Sequence, residues 1–153
     1  MPEHVTLTQI VVRIALAGIL AALVGWDRER HEKTAGVRTM ALVSVGAAAF
    51  MILGIELTDP GDGPRVLDST RIAAGVIGGI GFIGAGSIIQ AGGNVRGLTT
   101  AATIWASAAI GLGVGAGQIA LAVVLTVMVL TTLIVVNSLK RYVLPREEPD
   151  DQG

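Results

Sequence analysis

Apolar residues gather along this chain in five runs, at about residues 6–24, 39–57, 72–90, 98–113 and 118–137, each bounded by charge, proline or glycine. A helix rises 1.5 Å per residue and needs about 20 residues to cross roughly 30 Å of hydrocarbon. The pattern therefore predicts an all-α integral membrane protein, a bundle of about five transmembrane helices, with the short fourth run ending inside the bilayer. The connections differ in kind. Residues 26–38 are densely charged, 58–71 are rich in Pro, Gly and Asp, 91–97 form a glycine loop and 114–117 a tight turn. None leaves room for a second domain, so residues 1–144 read as one five-span domain, followed by an acidic tail at 145–153 expected to be disordered.

Composition agrees with a lipid setting: 52% of the 153 residues are apolar and only 15% are charged, and mean hydropathy is +0.69. The net charge of −1 and the five aromatic residues give no basic or stacking surface for nucleic acid. With no cysteine, disulfides, thiolate metal sites and a cysteine nucleophile are excluded. His4 and His31 fall on opposite sides of the membrane, and no spacing suggests a nucleophile beside a base, so no enzyme and no cofactor are expected.

Lysine and arginine set the orientation. One side collects Arg28, Arg30, Lys33, Arg38, Arg96, Lys140, Arg141 and Arg146, the other only Arg65 and Arg71. The amino terminus is expected outside and the carboxyl terminus in the cytoplasm. Residues 1–5 carry no basic segment, which reads as an uncleaved first span rather than a signal peptide.

Within the third run, Gly79-Ile80-Gly81-Phe82-Ile83-Gly84 spells the G-x-G-x-x-G of a dinucleotide loop. That loop needs a strand before it and an acidic residue about 20 positions on. No residue from 69 to 146 is acidic, and the glycines sit inside an apolar span. Helix packing is the alternative. Gly75 and Gly79 make a G-x-x-x-G pair, with Gly86 on the same face at about 100° per residue, while Gly81 and Gly84 lie on the other. Glycines on two faces, Gly78 among them, predict a central helix approached from two directions. A local break near Gly78 to Gly81, exposing backbone groups that bind an ion, is the sharper version.

The fourth run carries a polar stripe, Thr100, Thr103 and Ser107 with Gly111, at helical spacing. Such hydroxyls bond back to their own helix or across to a neighbour, or else line a hydrophilic pathway. Arg13 lies about seven residues into the first span, where a charge must snorkel or pair. Glu56, Asp68 and Arg71 share its end of the bundle, so Arg13 is expected to pair with Asp68 or Glu56, or to reach the headgroups. The other end holds Asp27, Glu29, Arg30, Arg38, Asn94 and Arg96, either solvated helix ends or a surface for a partner protein or lipid headgroups.

Three stretches, GWDRERHEKTAGVRTMALVSVGA, DSTRIAAGVIGGIGFIGAGSII and GGNVRGLTTAATIWASAAIGLGVGAG, resemble the membrane domain of the MgtC/SapB family in order and spacing over about residues 14–136. The resemblance implies a bacterial inner-membrane protein of about five spans, linked to growth at low magnesium and, in pathogens, to survival inside macrophages. It further implies action by binding other membrane proteins, the proton-translocating ATP synthase among them. Asn94 then matches a loop position implicated in family function, and Asp27, Glu29, Arg30, Arg38, Asp68 and Arg71 match other motif positions. Many members continue into a cytoplasmic carboxyl-terminal domain, whereas the likeness here is to the membrane domain alone.

Magnesium chemistry bears on this separately. Hard divalent cations want carboxylate or water oxygens, yet all 12 acidic residues lie outside the interiors of the predicted spans. Backbone carbonyls at a glycine break would still coordinate an ion. Two functions are thus expected: a regulator that binds a larger membrane complex, or a small channel or transporter using the third and fourth helices. A homodimer is compatible with either.

Overall fold

A computed structural model describes residues 5–58, 69–91 and 94–143. Among them the chain forms α1 (Leu7–Arg30), α2 (Val37–Thr58), α3 (Ser69–Gly86), a hairpin of β1 (Ile89–Ala91) and β2 (Asn94–Arg96), α4 (Leu98–Gly115) and α5 (Ile119–Val143). Asp68 and the tail from 144 onward lie outside the described residues. Helices α1, α2, α4 and α5 are long and apolar enough to cross a membrane, and α3 is a shorter apolar helix. Large apolar side chains such as Phe82, Leu42, Leu121 and Trp105 stand on the outside of the bundle. Lipid is the solvent that such a surface fits.

Local sequence sets the ends of α1. Thr6 and Gln9 form a reciprocal capping box, each side chain accepting the other's backbone N–H. The helix then continues past the apolar run through Asp27 to Arg30, because its buried face of Ala17, Leu20, Ala21, Val24, Gly25 and Arg28 keeps helical spacing to the end. It stops in a Schellman turn. Glu32 takes a left-handed φ of 52°, while the N–H groups of Glu32 and Lys33 donate to the carbonyls of Glu29 and Arg28 at 3.0 Å.

The core is a close stack of α1, α2 and α4. Gly25 lies on the α2 entry, where an added Cβ would come within 2.6 Å of Val37 Cα. Ser44 donates across the gap to the Ala17 carbonyl at 2.9 Å. On the other side of α2, the missing side chain of Gly111 admits the Ser44 carbonyl itself, and Gly115 sits against Ala48 and Met51. Such approaches suit a membrane interior, where helices associate through close packing and interhelical hydrogen bonds.

Two expectations change here, and one open alternative closes. The glycine-rich third helix is not central: α3 packs mainly on α2 and α4, while α4 touches all four other helices. Nor is it broken, since Ser69–Gly86 is one continuous helix through Gly78 to Gly81. The third run also leaves the helix at Gly86 and turns into the hairpin, pairing Ile89 with Arg96, Gln90 with Val95 and Ala91 with Asn94. Two glycines between apolar, β-branched flanks are a hairpin signal that apolar run length masked.

Candidate functional site at the charged end of the bundle

The end of α1, the loop to α2, the hairpin and the start of α4 lie at one end of the bundle. Their side chains have unequal duties. Glu29 reaches over the loop, and its Oε2 accepts the Val37 N–H at 3.0 Å, so this carboxylate fastens the entry of α2. Arg30 stacks on Trp26 with its guanidinium carbon 5.6 Å from the ring centroid. The Asp27 carbonyl lies 2.7 Å from His31 Nδ1, and one Asp27 carboxylate oxygen lies 3.6 Å from the same nitrogen. Arg38 is exposed at the first turn of α2. Glu29, Arg30 and Asp27 are therefore held in place, and Arg38 is presented outward.

Asn94, Val95 and Arg96 are all exposed on β2, with Ile89 and Leu98 exposed beside them. Behind the hairpin, Gly97 has φ 92° and backs onto the Ser87 carbonyl, so only glycine fits between hairpin and helix. The hairpin strands pair with each other.

In the sequence Arg28 reads as one of the charges that follow the first span, not as a buried group. It is only 2% exposed, and its Nε and one Asp27 carboxylate oxygen are buried without a hydrogen-bond partner. The signal was present: Arg28 follows Ala21 and Val24 at spacings of seven and four, which extends the buried stripe of α1 by one turn.

At the opposite end Arg13 makes a bond that neither expected reading included. Arg13 donates from Nη1 to the Gly115 carbonyl at 3.0 Å, and its guanidinium lies over Gly117. A cation at the last turn of α4 meets unpaired carbonyls and the negative end of the helix dipole. Glu56 accepts the Val5 N–H at 2.7 Å. Arg71 is exposed at the start of α3, and Asp68 is outside the described residues.

The polar stripe of α4 is buried. Thr103 bonds back to the Thr99 carbonyl at 2.6 Å; Ser107 bonds back to Thr103 at 3.0 Å and meets Met40 Sδ at 3.2 Å. These hydroxyls serve packing. Of the α3 glycines, Gly84 meets Ala101 at 3.7 Å, whereas Gly75, Gly78, Gly79, Gly81 and Gly86 have nothing within 4 Å of where a Cβ would stand. The close packing expected of those five is not made within one chain. Beside them α2 and α3 leave an apolar groove of about 670 Å³, lined by Leu42, Gly46, Phe50, Gly75 and Gly79 among others. Among the described residues, no three His, Asp or Glu side chains come together to hold a metal.

The model of the MgtC family matches residues 14–142. The chain is similar to Protein MgtC of Salmonella typhimurium strain LT2, 45% identical over 130 residues, which is 85% of this chain and 53% of that protein. It is similar also to Protein MgtC of Brucella abortus strain 2308, 46% identical over 128 residues, or 84% of this chain and 50% of that one. It spans about half the length of these curated relatives. No solved structure matches significantly.

Proposed function

Because the chain belongs to the MgtC family, we propose that this multi-pass membrane protein is a regulator of the bacterial inner membrane that binds other membrane proteins and so adjusts ion or energy balance under stress such as low magnesium. The charged end faces the cytoplasm in this reading, because lysine and arginine collect there. The observation that carries it is the contrast between exposed and engaged polar groups. Asn94 and Arg96 stand outward on a hairpin, while Thr103 and Ser107 of the stripe are engaged inside the bundle. A surface offered to a partner is thus better supported than a path offered to an ion. The proton-translocating ATP synthase is the partner to test first.

Crosslinking in native membranes at low magnesium, followed by purification, is the direct test. A reproducible partner that is lost in Asn94→Ala or Arg96→Ala, with unfolding unchanged, supports the reading. Recovery of the same partner with both variants sinks the hairpin as its contact. Liposomes containing only this protein are expected to show no ion flux, and flux blocked by bulk at Gly79 or Gly81 would favour a channel instead.

A further inference from the structure

Arg28 lies on the face of α1 that packs on α2 and α4, one turn past Val24 and Gly25. Helices α1 and α4 run in opposite directions. The Arg13 to Gly115 hydrogen bond joins the start of α1 to the end of α4, and the two helices share core residues in between. Advancing along α1 is therefore going back along α4, and the 15 residues from Arg13 to Arg28, counted back from Gly115, bring Arg28 to the level of Thr100 in the first turn of α4. That helix, 18 residues long, begins at Leu98 behind Gly97, which offers no side-chain cap. Its first intrahelical N–H bond is Ala101 to Gly97 at 2.8 Å, so the N–H groups of 98–100 have no acceptor within their own helix.

A buried guanidinium with an unpartnered Nε thus lies at the level of an uncapped helix start, whose dipole is positive. Both groups are donors, and both favour an oxyanion. They sit where the apolar run of α1 gives way to charge, at headgroup depth. Asp27 supplies the balancing charge when nothing is bound. From this geometry we infer that Arg28 and the amino-terminal turn of α4 form a binding site for a phosphate oxyanion, carried either by a lipid headgroup or by free phosphate.

The test is thermal unfolding of the purified protein in non-ionic detergent, with inorganic phosphate or phosphatidylglycerol added against chloride at matched ionic strength. Stabilisation by the lipid alone assigns the headgroup, and stabilisation by inorganic phosphate assigns the free anion. Arg28→Gln is expected to weaken the response about tenfold or more, the loss of one charge-assisted contact. Lys33→Gln, an exposed charge in the same loop, is expected to leave it intact. Asp27→Asn is expected to tighten binding by removing a repelling charge. If Arg28→Gln does not fold, Arg28→Lys and Asp27→Asn carry the test, with an intermediate and a stronger response expected. No stabilisation by either additive, equal stabilisation in wild type and the Arg28 variant, or weaker binding in Asp27→Asn overturns the site and leaves internal water as what satisfies Nε.

Discussion

Helices α3 and α4 have the same length of 18 residues, and both are rich in glycine. In α4 the glycines are contact points: Gly111 admits the Ser44 carbonyl, Gly115 meets Ala48 and Met51, and Gly113 meets Ala122 at 3.5 Å. In α3 only Gly84 is used in this way, and five others border open space. A glycine in a membrane helix therefore records that something approaches, or is free to approach, without saying whether it belongs to the same chain. In α4 the approaching backbone is α2. In α3 the approach is left to the surroundings, which the proposed regulatory role would fill with another membrane helix.

The comparison breaks most sharply at Gly111. Gly111→Ala sets a methyl group on a backbone carbonyl that has nowhere to go, and is expected to destabilise the bundle by about 3 kcal/mol or more. Denaturant titration in mixed micelles reads that loss; a small effect would mean that α2 and α4 separate easily and that α4 is not the core helix. Arg13→Met, which leaves the α4 carbonyls without their cation, is expected to cost about 1.5 kcal/mol in the same measurement. In α3 the sign reverses, and Gly78→Ala is expected to stabilise by roughly 0.8 kcal/mol through helix propensity alone. If Gly78→Ala is instead harmful in native membranes yet harmless in dilute micelles, the α3 face is covered by another helix in the bilayer. Smallest is Ser44→Ala, which removes the hydrogen bond to Ala17 at a cost of about 0.6 kcal/mol.

What the chain disclosed before its structure follows from which physics is written in residue type. Apolar run length and the bounding charges located all five helices, since a membrane demands a near-fixed length. The burial of Thr103 and Ser107 was legible as a helical stripe, and that of Arg28 was equally legible though passed over. Neighbour choice was not legible, because the glycine spacing of α3 and α4 looks alike and the contact map decides between them. Arg13 was harder still. Its acceptor is a main-chain carbonyl, Gly115, and carbonyls are present at every position, so residue identity carried no trace of it. The hairpin hid inside an apolar run because Ile88, Ile89 and Gln90 continue the third span in composition.

The bond between Arg13 and Gly115 also has a history. Its partners are 102 residues apart, and at about 5 to 20 residues per second the ribosome needs roughly 5 to 20 s to make the second after the first. During that interval α1, α2 and α3 are made before α4, the Ser44 carbonyl lacks the Gly111 gap that receives it, and the Arg13 charge has only water and headgroups to hold it. Completion of α4 supplies both the Gly111 gap and the Gly115 acceptor. Biogenesis of this bundle thus passes through a half-made membrane protein, three helices with one waiting cation, and it is the fourth helix that releases it from that state.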